Sequence, residues 1–250
     1  MTITARFLFR TAGILLVCGL GFSSPAQAQF SLVGSASQNT NGGIQLTNGF
    51  GQAGAAWFNT PLSTSQSFSE TFSFTLQSLG QYHALPYLQA DGITFALQNI
   101  GTGALGANGG NLGYNGLNGI GSIVQTYTNN HVGLNLDGNA SHTSFNTHEW
   151  MGLRQLVSGT ETVSYNAQSN LLSLQASIDG YQFNRTANIN LAQKFGPTMI
   201  AGFTGATGGD ESLQTITHFS PIASVPEPGN LSLLLAGMAL IGVIARQRRS

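Results

Sequence analysis

The chain has 250 residues, of which 33 are glycine and only 7% are charged, 8 basic against 9 acidic, where soluble proteins average about 25% charged. So few charges leave no basic stripe for a phosphate backbone and exclude nucleic acid as a partner. The 41% apolar content separates the chain from the low-hydrophobicity, high-charge sequences that stay unfolded.

The first 28 residues carry Arg6 and Arg10, an apolar run over 11–22, then Ser23-Ser24-Pro25 and Ala26-Gln27-Ala28. Basic, apolar and small-residue segments in that order predict a secretory signal peptide over 1–28, cleaved before Gln29. The only cysteine, Cys18, lies inside the apolar run, so the mature chain is expected to hold neither disulfides nor thiolate metal sites.

From Phe30 onward short alternating runs are separated by Gly, Asn and Ser clusters. The run Ser67 to Leu76 alternates with period two, the pattern of a strand with one buried face. Further strands are expected over 43–47, 55–58, 92–97, 123–127, 132–136, 161–165, 171–176 and 199–203. Ala167-Gln168-Ser169-Asn170 and Asp179-Gly180 read as turns, and Leu191 to Phe195 as one helical turn. Ten or so strands without helical interludes predict an all-β sandwich or barrel over residues 29–223.

Within it, residues 101–121 hold nine glycines, a composition that reads as a flexible loop. Gly101-Thr102-Gly103-Ala104-Leu105-Gly106 formally matches the dinucleotide-binding G-x-G-x-x-G. That motif must open a helix whose amides face the pyrophosphate, and Ala107-Asn108-Gly109-Gly110-Asn111 cannot sustain one. Between Phe30 and Ala223 the cations are Arg154, Arg185 and Lys194, against Glu70, Asp91, Asp137, Glu149, Glu161, Asp179, Asp210 and Glu211. A mildly acidic surface rich in Asn, Gln, Ser and Thr offers hydrogen bonds to a neutral, hydroxyl-rich ligand.

The last segment, 224–250, contains Val225-Pro226-Glu227-Pro228, an apolar stretch from Leu231 to Ala245 and the arginines 246, 248 and 249. The stretch is about 22 Å long as a helix, short of a roughly 30 Å hydrocarbon core, and the terminal arginines orient it with the tail inside. These elements in this order resemble the PEP-CTERM sorting signal of Gram-negative bacteria that make exopolysaccharide. The resemblance implies a short membrane anchor, an exosortase as processing partner, and delivery to the cell surface or extracellular matrix.

Four motifs of the middle region carry a second resemblance. Ala90-Asp91-Gly92-Ile93-Thr94-Phe95, Gly109-Gly110-Asn111-Leu112-Gly113-Tyr114, Thr126-Tyr127-Thr128-Asn129 with His131-Val132-Gly133-Leu134, and Ala201-Gly202-Phe203-Thr204-Gly205-Ala206-Thr207-Gly208 are similar, in order and approximate spacing, to the core of the legume-type (L-type) lectins. The resemblance implies a concanavalin-like jelly-roll sandwich with sugar held by loops at one edge. It further implies that Asp91 accepts hydrogen bonds from sugar hydroxyls across a cis Ala90–Asp91 peptide. A Gly110 amide would donate to the sugar, Tyr127 would lie under its apolar face, and Asn129 would complete the set. Gly208, Gly209 and Asp210 correspond to the family's variable final loop. Each residue also has a plain structural use: Asp91 and Asn129 as turn residues, Gly110 for a positive φ, Tyr127 as core.

The metal loop departs from the family. Ile123 and Gln125 stand at the two carboxylate positions, and Asn130 and His131 follow Asn129 with no second Asp. Calcium prefers several oxygen ligands including carboxylates, so no metal and no cofactor is expected. The sequence predicts an exported, non-catalytic carbohydrate-binding protein of the cell surface or exopolysaccharide matrix. Two alternatives stand beside it. One is a structural matrix protein that has lost its site. The other, a glycoside hydrolase on the same fold, needs two facing carboxylates, and no E-x-D-x-x-E run exists. His148-Glu149 begins a zinc-protease-like motif, but Gly152 replaces its second His.

Overall fold

A computed structural model of the chain describes residues 30–80, 90–127, 131–147, 155–220 and 223–224. The expected signal peptide, His148-Glu149 and the Pro-Glu-Pro tail lie outside the described residues. In chain order the strands are β1 (Phe30–Gly34), β2 (Ser37–Gln38), β3 (Ile44–Thr47), β4 (Ala53–Phe58), β5 (Leu62–Ser63), β6 (Phe68–Gly80), β7 (Gly92–Gln98), β8 (Gly119–Gln125), β9 (His131–Asn135), β10 (Ser144–Thr147), β11 (Leu156–Asn166), β12 (Leu171–Ile178) and β13 (Tyr181–Asn188). A single helical turn, α1 (Leu191–Phe195), precedes β14 (Thr198–Ala206), β15 (Glu211–Phe219) and β16 (Ala223–Ser224).

The strands form two sheets whose described pairings are antiparallel. The front sheet runs β1-β4-β14-β7-β8-β9-β10, with β5 on β14; the back sheet runs β13-β12-β11-β6-β15-β3-β2, with β16 on β6. The expected all-β sandwich is what the chain builds. Period two dictates the layering: in β6, Phe68, Phe72, Phe74 and Leu76 point inward with Glu70, while Ser69, Thr71, Ser73 and Thr75 point out. Between the sheets lies a core rich in phenylalanine, in which Phe72, Phe95 and Phe203 meet at 5.1–5.7 Å between ring centroids.

Some strands are absent from the sequence reading. β13 has a mostly exposed pattern on both faces because it is a sheet edge, so apolar alternation is weak there. β15 carries register shifts against β6 and β3, which break the period. β8 ends at Gln125 rather than Tyr127.

The glycine-rich stretch differs from the flexible loop its composition suggests. It folds back over the outer face of the front sheet and closes a second apolar cluster that includes Trp57, Leu112, Tyr114, Leu117 and Ile123. The Trp57 indole N–H donates to the Ala104 carbonyl at 2.8 Å, the Thr204 hydroxyl to the Leu112 carbonyl at 2.9 Å, and the Tyr114 hydroxyl to Asn135 at 2.6 Å. All seven residues of β7 are buried, because one face meets the core between the sheets and the other meets this loop.

Topology then sets where the loops gather. β3 to β4, β6 to β7 and β14 to β15 each cross from one sheet to the other, and β14 lies between β4 and β7 while β15 lies between β3 and β6. Ala206, at the end of β14, is opposite both Ala53 and Gly92. The 207–210 loop therefore sits between the 48–52 turn on one side and Asp91 on the other.

Candidate functional site

Asp91 is the centre of this loop cluster. Its N–H donates to the Ala206 carbonyl at 2.8 Å, and its own carbonyl accepts from Thr126 N–H at 2.9 Å. The preceding Ala90 carbonyl accepts from the Ser212 hydroxyl at 2.7 Å and the Gln214 amide at 3.1 Å. The Ala90–Asp91 peptide is cis, as the resemblance implies. Glycine must follow: Gly92 has φ +142°, and a Cβ there would overlap the Val124 carbonyl. The motif Ala-Asp-Gly thus has a backbone reason as well as a chemical one.

The Asp91 side chain is only 4% exposed. Burial pushes its carboxyl up to about 6, the Gly208 amide opposes the shift, and the nearby Asp210 charge adds to it. Asp91 Oδ2 and both carboxylate oxygens of Asp210 are buried without a hydrogen-bond partner among the described residues. Two acidic groups are held together with unmet acceptor capacity, which donors from a ligand can satisfy.

The glycine loop lies against them. Gly109 N–H donates to the Thr207 carbonyl at 3.1 Å, and Gly109 takes φ +63°. The positive φ considered for Gly110 therefore belongs to Gly109, and Gly110 itself is exposed with its Cα near the Gln125 amide, 3.8 Å from where a Cβ would stand. Close approach governs Gly208: a Cβ there would be 3.1 Å from Asp91 Oδ2 and 3.4 Å from Gly109 Cα. Gly209, beside it, is exposed.

Of the residues singled out in the sequence, Asp91, Gly110, Gly208, Gly209 and Asp210 come together. Tyr127 is half-buried in a bend, one residue beyond the Thr126 amide that bonds to Asp91. Asn129 lies outside the described residues. Gln125 and His131 face each other across β8 and β9, and partial burial holds the His131 imidazole below its ordinary value. Sequence reasoning missed Gly109, Ser212 and Gln214. The latter two act on the Ala90 carbonyl from 122 and 124 residues away, a distance over which no local pattern reports.

The ions usual in the resembling lectins do not fit the residues present. Ile123 is fully buried in the second apolar cluster, and Gln125 supplies only a neutral amide. Among the described residues no group of three or more His, Cys, Asp or Glu side chains gathers to hold a metal.

Solved lectin structures share this architecture. A Bauhinia forficata lectin in complex with GalNAc superposes with a TM-score of 0.67 at 21% identity, covering 82% of this chain and 96% of its own. Peanut lectin with a nine-residue peptide gives 0.65 at 22%, covering 81% and 95%. Winged bean acidic lectin complexed with methyl-α-D-galactose gives 0.66 at 21%, covering 80% and 94%. These likenesses are of fold. The legume lectin domain matches residues 20–228, most of the chain, and the protein belongs to that family.

Proposed function

We propose that this chain is an exported, non-catalytic carbohydrate-binding protein whose sugar site is the cluster of Asp91, Gly110, Tyr127, Asn129 and the loop of Gly208, Gly209 and Asp210, and that it binds without calcium. One observation carries the reading: the buried Asp91 carboxylate, with an unmet acceptor oxygen, is fixed by backbone bonds beside two glycine-bearing loops. A carboxylate in that setting accepts from sugar hydroxyls with charge-assisted strength. The related lectins crystallised with GalNAc and methyl-α-D-galactose make galactose-type sugars the first ligands to test. A printed glycan array probed with the protein, with added Ca²⁺ and again with chelator, is expected to show the same bound glycans in both conditions. Absence of binding in both would favour the alternative of a structural matrix protein, the reading that the missing metal carboxylates support.

Export rests on the terminal segments. Arg6, Arg10 and Ala26-Gln27-Ala28 support a signal peptide, and Pro226-Glu227-Pro228 with its apolar stretch and arginines supports a membrane-anchored precursor processed by an exosortase and released to the cell surface or exopolysaccharide matrix. Mass spectrometry of envelope and medium fractions is expected to recover no peptide that precedes Gln29. Recovery of an intact N-terminus on exported material would refute the signal-peptide reading, and absence of the protein from both fractions would refute export.

A further inference from the structure

The turn joining β3 to β4 was not a candidate in the sequence, yet the fold ties it to both loops around Asp91. Gly51 N–H donates to the Gly208 carbonyl at 3.0 Å. The Asn108 side-chain amide, from the glycine loop, donates to the Gly51 carbonyl at 2.8 Å. Thr207 closes the other side: its hydroxyl donates to the Gly49 carbonyl at 2.6 Å, and its backbone N–H to the Gln52 carbonyl at 2.9 Å. Between Gly49 and Gly51 stands Phe50, 51% exposed.

Phe50 is the exception among its kind. The chain has 15 phenylalanines, and no other among the described side chains is classed as exposed. The ring is not what closes the turn. Asn48 and Gln52 do that, through an amide pair at 3.1 Å and the Asn48 N–H bond to Gln52 at 2.7 Å, together with Thr207. An aromatic ring on a turn rigidified from three sides is a preorganised apolar surface, with little entropy left to lose on contact. The polar side chains that brace the turn, Asn48, Gln52 and Asn108, carry no charge.

We infer that Phe50 is a stacking platform for a second ring of a neutral oligosaccharide whose first ring occupies the Asp91 site. The inference rests on the carbohydrate-binding reading above and adds to it an extended subsite. The apolar C–H face of a pyranose packs on the π surface of such a ring, and the uncharged amides of the turn that carries it suit hydroxyls rather than ionic groups. The geometry places that surface across the 207–210 loop from Asp91, so it serves a longer glycan and leaves a monosaccharide untouched.

The test compares the full-length protein with Phe50→Ala and Phe50→Tyr on a printed array of neutral mono- to hexasaccharides from the gluco-, galacto-, manno- and N-acetylhexosamine series, with solution titration of each bound series. Wild type is expected to bind the longer members about three- to tenfold more tightly than the monosaccharide. Phe50→Ala should lose that gain at unchanged monosaccharide affinity and unchanged melting temperature, and Phe50→Tyr should keep it. A gain that survives in Phe50→Ala, or that wild type lacks, overturns the subsite alone. Wild type that binds no member of any series overturns the sugar-site reading and the subsite with it.

Discussion

At the scale of single residues, the charge state of Asp91 governs what the site can do. Its carboxyl is raised to about 6 chiefly by burial, and Asp210 contributes by like-charge repulsion. The ionised form is the acceptor that sugar hydroxyls need, so affinity should climb as pH rises through about 6 and level off above it. Below that midpoint it should fall by up to about tenfold per pH unit, because binding must then expel a proton. Asp210→Asn removes the neighbouring charge, and the midpoint should move to lower pH. Calorimetric titration from pH 4.5 to 8 reads both curves. A midpoint that stays in place in Asp210→Asn would show that the two carboxylates do not communicate.

At the scale of elements, the site is an assembly of crossings between the two sheets, and its tolerance is set by how closely they approach. Gly208→Ala puts a methyl 3.1 Å from Asp91 Oδ2 and 3.4 Å from Gly109 Cα, so one loop must shift by a few tenths of an ångström. Sugar affinity should fall about tenfold or more, since displaced donors and acceptors lose their alignment, while the fold stays intact by circular dichroism; unchanged affinity would mean the loops are not in mutual register. Much of this was legible in the sequence. Period two in Ser67 to Leu76 reported a strand, and Ala90-Asp91-Gly92 with Gly109-Gly110 reported the two main loops. What stayed hidden depends on long-range neighbours. Nothing near residue 50 shows that Gly51 bonds to Gly208, and composition alone makes 101–121 look flexible because the Trp57, Thr204 and Asn135 partners that order it lie on three separate strands of the front sheet, β4, β14 and β9. Edge strand β13 and bulged β15 escaped because exposure and register shifts erase alternation.

At the scale of the whole molecule, acid groups within the sandwich make stability depend on pH. Glu161 is 1% exposed on the inward face of β11 and accepts from the Ser122 hydroxyl of the front sheet at 2.7 Å. Burial pushes it up to about 7, and the inward Glu70 of β6 up to about 8, each from 4.5. Below pH 4.5 both groups are protonated in either state. As pH rises from 4.5 toward 7 the unfolded chain releases the Glu161 proton while the native fold retains it, so the Glu161 contribution to stability falls across that window and is flat beyond it, while the Glu70 contribution goes on falling to about pH 8. Glu161→Gln should remove roughly 3 kcal/mol of that pH-dependent loss and leave the protein more stable at pH 8 than wild type. Urea denaturation at pH 5 and pH 8 measures it, and a variant with an undiminished pH slope would contradict the assignment.

The chain belongs to the legume lectin family, and the function proposed for it is sugar binding through Asp91 without the family's ions. Isothermal titration of the protein with its best array glycan, alongside Asp91→Asn, with Ca²⁺ and with chelator, tests that claim most directly. Wild-type affinity should be the same in both buffers, and Asp91→Asn should weaken it by roughly 1.5 to 3 kcal/mol, the scale of a hydrogen bond to a charged group. Binding abolished by chelator, or binding undiminished in Asp91→Asn, would contradict it.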